Sequence, residues 1–403
     1  CDHYHRWQED IDLMKAIGLG AYRLSLSWPR ILPAGTGQTN TAGLDFYDRL
    51  IDGLLAAGIA PWVTLFHWDM PLALYHKGGW QNRDSIEWFG DYTRLAAQKF
   101  GDRVKNWITL NEPPCFTGIG HLDGIHAPGD KLSFANFLSL SHHALMAHGR
   151  AVQVLRDECP DKIQIGFAIT GNAKIPDTVT PENIEAARTH WFRIRRKSQW
   201  NISWWMDPVY LGHYPADGLE LFREDLPEIT EDDMTLISQP LDFMGYNGYT
   251  ADRVVASPDG PVELNPKDGH ARGILGWVRM EPDTLYWVSR FFHERYGNLP
   301  LVVTENGLPS TDWVSLDGKV HDPQRIDYTL RYLQGVARAN REGYAVSGYF
   351  HWTLMDNFEW AEGYHARFGL IHVDFQTQKR TLKDSAHWYR DVIGSNGEHI
   401  LAL

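Results

Sequence analysis

Trp107-Ile108-Thr109-Leu110-Asn111-Glu112-Pro113 reads as a buried strand that stops on an amide, an acid and a proline. Trp107 through Leu110 suit a pleated, buried environment. Pro113 has no N–H to give a ladder, so the strand ends there. Asn111 and Glu112 are thereby delivered to one rim of the sheet. Far along the chain, Leu301-Val302-Val303-Thr304 runs in the same way into Glu305-Asn306-Gly307. Two apolar strands, each ending in Glu beside Asn, predict a pair of carboxylates serving one site.

The flanking segments repeat the rhythm. Strands are expected over Ala21–Trp28, Ala60–Trp68, Val104–Asn111, Ile163–Thr170, Leu241–Asn247, Leu299–Thr304 and Ala345–Trp352. Helices are expected over about 42–57, 85–100, 134–156, 284–296, 323–342 and 383–393, with one more ending near Met206. An amphipathic helix with Ile11, Met14, Ile17 and Leu19 on its apolar side opens the chain. Residues 115–128 and 251–276 read as long loops, the second rich in Gly, Pro and Asp and more in keeping with function than with a linker. Strand–helix alternation implies a parallel sheet with helical crossovers. The strands are apolar nearly end to end, as strands buried on both faces are. Roughly seven such units are present, one short of a TIM barrel, and residues 1–403 read as a single catalytic domain.

In a barrel, sites form at the C-terminal ends of the strands. Those ends carry Arg23, His67, Trp68, Asn111, Glu112, Asn247, Tyr249, Glu305, Trp352 and Glu359. Packing alone does not account for a rim so polar and aromatic. The composition agrees with a large soluble core: 43% hydrophobic, 22% charged, with 17 each of Trp, Tyr and Phe. Lys plus Arg number 38 against 51 acids, a net −13 with no basic block, which argues against nucleic acid or an anionic membrane as partner. No run has the length of a membrane helix. Three cysteines without a CxxC favour a reducing compartment, and a cytoplasmic location is the expectation.

WITLNEP around Glu112, VVTENG around Glu305, TLFHWDMP around His67, AYRLSLSWPRILP around Arg23 and WTLMDNFEWAEGY around Glu359 together resemble glycoside hydrolase family 1. This family comprises retaining β-glucosidases and β-galactosidases, and the likeness covers nearly all of the chain. It implies a (β/α)8 TIM barrel whose first strand and loop, with a Gln that bonds the glycone, are not among the numbered residues. The complete molecule is expected to carry them.

The resemblance also implies roles. Glu305 is the nucleophile and Glu112 the acid/base, in a mechanism that needs two carboxyl groups about 5–5.5 Å apart. Glu305 should be held ionised by neighbouring donors and Glu112 raised in pKa by its surroundings. Arg23, Asn247 and Tyr249 support the nucleophile. Asn247-Gly248-Tyr249 stands where the family commonly has Asn-Tyr-Tyr, which implies more local freedom at Gly248. Asn111 should bond the sugar 2-hydroxyl, and His67 and Trp68 the 3-hydroxyl. Trp352 forms the glycone floor, while Glu359 and Trp360 read the hydroxyls at positions 3, 4 and 6. Trp277 is the leaving-group platform, and Pro114 replaces a Trp that relatives often carry. A carboxylate at Glu359 disfavours phosphorylated sugars, and Glu112 disfavours a thioglucosidase.

The expected activity is exo-hydrolysis of terminal β-D-glucosyl residues, with β-galactosyl or β-fucosyl residues as further substrates. The ligands are then β-glucosides or short β-linked oligosaccharides. No cofactor or metal is expected, and a homo-oligomer is compatible with the sequence. His142-His143, His3 and His5 lack a ligand set and read as packed or solvated. Asn201-Ile202-Ser203 is a glycosylation triplet of a kind common by chance. Two alternatives stand beside this reading: an endo-acting glycanase of the same barrel clan, and a catalytically impaired sugar-binding fragment. The FEWAEGY segment, which should block one end of a cleft, counts against the first. The intact pair of glutamates counts against the second.

Overall fold

The computed structural model describes residues 1–398. Among them, seven strands form one sheet: β1 (Ala21–Ser25), β2 (Ala60–Phe66), β3 (Asn106–Asn111), β4 (Gln164–Thr170), β5 (Phe243–Asn247), β6 (Leu301–Asn306) and β7 (Val346–His351). Neighbours in the sheet are neighbours in the chain. Pairing is parallel, with Ala21 opposite Ala60, Trp62 opposite Asn106 and Asn106 opposite Gln164. All seven expected strands are present. Packing groups the residues into two compact units.

The first unit holds Ala21–Thr170 and Phe192–Gly245. Its helix Ser85–Phe100 buries Ile86, Phe89, Thr93, Ala96, Ala97 and Phe100, a stripe at helical spacing. Helix Phe134–Glu158 packs on it and is capped where Ser133 Oγ accepts the Asn136 N–H. Trp28 stacks on Tyr92 at 5.1 Å, and Phe66, Trp80 and Phe89 fill the space around them. The strand expected to reach Trp28 stops at Ser25, because Pro29 starts a helical turn over Trp28–Ile31. The helix expected to end near Met206 spans Ile202–Leu211, running through Pro208 to a left-handed Gly212. Helices Ala216–Phe222 and Glu231–Ile237 were not anticipated. The second had a legible signal, the reciprocal capping box of Thr230 and Asp233. The expected loop after Glu112 begins instead as a π-helical turn, Pro114–Ile119.

The second unit holds Cys1–Gly20, Gly171–Trp191 and the chain from Tyr246 onward. Its opening helix, His3–Ile17, buries Ile11, Met14 and Ile17, whereas Leu19 lies beyond the left-handed Gly18. Arg380 binds the buried Asp10 and ties this helix to the hairpin strand Arg380–Leu382, while His3 bonds the same carboxylate from within the helix. The expected loop 251–276 is partly sheet. Ala251–Val255 pairs with Ala173–Pro176 on one side and Val262–Glu263 on the other. Lys174 bridges Asp252 and Glu263 across these strands. Ion pairing thus replaces the apolar alternation that would have revealed the strands.

Both glutamate-bearing strands change register just before their ends. Ile108 pairs with Gly166 but Asn111 with Ala168, so β3 uses three steps where β4 uses two. Tyr349 pairs with Val303 but His351 with Asn306, so β6 gains a residue in the same way. One extra residue reverses the side-chain alternation beyond it. The bulges therefore set which way the last residues of each strand face.

Candidate active site

In the first unit the site is built on Asn111, which is fully buried. Arg23 Nη2 donates to Asn111 Oδ1 at 2.6 Å, and Asn111 Nδ2 faces His67 Nε2 at 3.1 Å. Only a donor can face that nitrogen's lone pair, so the His67 proton sits on Nδ1. Burial, and then the Arg23 charge, hold the imidazole pKa well below its ordinary value. His67 is therefore a neutral hydrogen-bonding group. Trp68 donates its single N–H to the Asn111 carbonyl at 2.9 Å. This differs from the sugar contact expected of it: in this structure the indole braces the end of β3.

Glu112 is 7% exposed and follows directly. The Cys115 thiol donates to its Oε2 at 3.1 Å, from the first turn of the π-helical segment. Six non-glycine residues among those described have positive φ, and three of them are Trp68, Glu112 and Trp360. Such backbone is costly and concentrates where side chains are held for function. Sequence reading missed Cys115, although Glu-x-x-Cys on one turn was visible.

In the second unit the corresponding centre is Glu305, 4% exposed. Tyr249 donates its hydroxyl to Glu305 Oε2 at 2.6 Å. Asn247 accepts from the Thr304 hydroxyl at 2.5 Å and so braces the residue before Glu305. The freedom expected at Gly248 is not found. Its N–H donates to the Glu305 carbonyl at 2.9 Å, and its own carbonyl accepts from Asn306 Nδ2 at 2.5 Å. A Cβ there would stand 2.7 Å from the Tyr246 ring and 2.8 Å from Leu285. Gly248 is a packing requirement. Gly307 is another, since a Cβ would lie 1.8 Å from the Trp352 carbonyl. That approach joins the ends of β6 and β7, where Trp352 N–H donates to the Asn306 carbonyl at 2.8 Å.

Trp277 forms a T-shaped pair with Tyr249, 5.6 Å between ring centres, and is 46% exposed. Trp352, Glu359 and Trp360 are half-buried. The segment between them is anchored by the buried Asp356, which accepts from Lys383 at 2.8 Å, Arg367 at 2.6 Å and the Gly369 N–H at 3.0 Å. Of the other histidines singled out in the sequence, His142 bonds the Tyr214 hydroxyl and Asp233 within the core, and His143 bonds the Trp80 carbonyl. His5 pairs with Asp2. Ser203 of the glycosylation triplet is buried and donates to the Phe192 carbonyl.

The family model described as Glycosyl hydrolase family 1 matches residues 1–398. The chain belongs to glycosyl hydrolase family 1. Among family 1 relatives, it is 45% identical over 399 residues to a protein named Beta-glucosidase A from Thermotoga maritima, covering 98% of this chain and 87% of that one. It is 41% identical over 403 residues to Beta-glucosidase A from Acetivibrio thermocellus, covering 98% and 88%. The solved family 1 b-glucosidase from Thermotoga maritima in complex with isofagomine lactam superposes with a TM-score of 0.88 at 44% identity, covering 98% of this chain and 88% of that one. The sheet and its helices thus have the (β/α)8 TIM-barrel fold of family 1.

In this family 1 chain the Glu359 carboxyl is strongly perturbed. Burial first, then the negative charges of Glu305 and Glu362, raise its pKa to about 7 against a hydrogen bond from Trp352. An unfolded chain releases this proton near 4.5. Between the two values the folded state keeps a proton that the unfolded state has lost, so stability falls as pH rises through that window. Glu359→Gln cannot ionise. Its melting temperature should match the wild type near pH 4.5 and exceed it at about pH 8, by on the order of 2 °C. An equal advantage at both pH values would show that ionisation is not the cause.

Proposed function

We propose that this chain is a retaining, exo-acting β-glucosidase in which Glu305 attacks the anomeric carbon and Glu112 protonates the leaving oxygen. The observation that carries the reading is the buried Glu305 carboxylate holding the Tyr249 hydroxyl at 2.6 Å. That donor fixes one carboxylate oxygen, leaving the other to attack. The glycosyl-enzyme ester that forms is then opened by water, with Glu112 acting as base in this second step.

The remaining site residues take the roles their motifs imply. Asn111, fixed by Arg23 and Trp68, presents its amide to the 2-hydroxyl. That contact strengthens as the ring approaches the oxocarbenium state. His67, neutral and aligned by Asn111, serves the 3-hydroxyl. Arg23 supports Glu305 as well as Asn111. Trp352 forms the floor, Glu359 and Trp360 read the outer hydroxyls, and Trp277 receives the leaving group. Glu359 carries its full charge only above about pH 7. Discrimination against phosphorylated sugars should therefore sharpen as pH rises through that value.

The substrates on this reading are unphosphorylated β-glucosides and short β-linked oligosaccharides, with β-galactosides and β-fucosides accepted more slowly. The test is hydrolysis of an aryl β-glucoside followed by NMR of the first product formed. Release of the β-anomer ahead of mutarotation supports the mechanism, and initial release of the α-anomer would end it.

A further inference from the structure

We propose that Tyr328 and Tyr332 are positioning residues for the nucleophile, acting together through the main-chain carbonyl of Tyr249. The inference rests on Glu305 being the nucleophile. Both tyrosines lie on helix Pro323–Arg341, one turn apart, fully buried, with rings stacked at 4.1 Å. Tyr328 donates to the Tyr249 carbonyl at 2.6 Å and Tyr332 donates to the same oxygen at 2.9 Å.

Each hydroxyl has one proton, and the surroundings decide where it points. Asn306 Nδ2 donates to the Tyr328 oxygen at 3.1 Å, and the Glu281 N–H donates to the Tyr332 oxygen at 3.1 Å. Both oxygens thus already accept, and the nearest carbonyl for both protons is that of Tyr249; the other carbonyl in reach of Tyr332, that of Arg279, lies farther off at 3.4 Å. Burial keeps the phenols protonated, pushing Tyr332 up to about 12 and Tyr328 well above its ordinary value.

The carbonyl so held belongs to the residue whose side chain grips Glu305. Asn306 closes the circuit. Its amide spans the Gly248 carbonyl and Tyr328, and its Oδ1 accepts the Tyr349 hydroxyl at 2.7 Å. A core tyrosine needs only some partner for its hydroxyl. Two converging on a single carbonyl, one peptide beyond a glycine that itself bonds the Glu305 backbone, fix the direction from which the Tyr249 phenol reaches the carboxylate.

The test measures how fast a fluorinated β-glucosyl inactivator traps Glu305, together with steady-state hydrolysis. Tyr328→Phe and Tyr332→Phe keep the ring stack and remove one donor each. Each should lower kcat and the trapping rate about 3-fold, and the pair about 10-fold, with KM little changed. In a Tyr249→Phe background the same substitutions should have no further effect, because no hydroxyl remains to be aimed. Equal slowing in both backgrounds would reduce the pair to a structural role and overturn the proposal, as would wild-type trapping by all the variants. If the double variant does not fold, the singles in the two backgrounds give the same decision. An active Glu305→Ala enzyme would instead refute the nucleophile assignment. An inactive Glu305→Ala enzyme beside unaffected tyrosine variants would refute only the clamp.

Discussion

Glu305→Ala is expected to lower kcat on an aryl β-glucoside by at least about 10⁴-fold, with KM changed far less. The carboxylate is the group that forms a covalent bond to the anomeric carbon, and neither Tyr249 nor the bulged backbone can replace it. A structural Glu at this place would behave differently, since removing it would release the Tyr249 hydroxyl and cost stability more than rate. The variant leaves a small space on the α-face of the sugar. Azide should enter it and displace an activated aryl group, restoring turnover and giving the α-glucosyl azide. Activity that survives the substitution would refute the assignment, and so would a rescued product of β configuration.

Much of this centre was legible beforehand, because strand ends obey simple rules. Pro113 terminates β3 and Gly307 follows β6, so both glutamates had to lie on a rim. The seven strands were readable because each is a short apolar run bounded by turns. What escaped had no such signature. The one-residue gains in β3 and β6 depend on how neighbouring strands seat, and nothing in Trp107–Asn111 or Leu301–Asn306 announces them. Ala251–Val255 was hidden because Lys174, Asp252 and Glu263 pair across its sheet, so charge stands where an apolar face was sought.

Side-chain partners are harder to read than strand ends, for one physical reason. The resemblance implies a sugar contact for Trp68, and in this structure its N–H donates to the Asn111 carbonyl. Gly248 was read as loose because glycine is permissive in isolation. In the fold, both of its peptide groups are bonded and the Tyr246 ring closes the space beside it. Tyr328 and Tyr332 are buried on helix Pro323–Arg341, and no sequence motif singles them out. Their tips carry the further function, and a hydroxyl's destination is set by tertiary partners that spacing on one helix does not reveal.

Glu112→Ala should separate substrates by their leaving groups. A dinitrophenyl glucoside departs as a stable anion and needs little protonation, so its first step should slow only slightly. An alkyl glucoside or a disaccharide needs the proton and should lose about 10²–10⁴-fold in kcat/KM. Water attack in the second step also loses its base, so the glycosyl-enzyme should accumulate and a burst of dinitrophenol should precede a slow steady state. Azide needs no base, and here it meets an ester already formed by Glu305 on the α-face. It should restore turnover and yield the β-glucosyl azide, opposite in configuration to the product from Glu305→Ala. Buried carboxylates placed merely for packing have no reason to produce that pair of opposite products. If both variants gave the same anomer, or if Glu112→Ala slowed every leaving group equally, the division of labour between the two strand ends would be wrong.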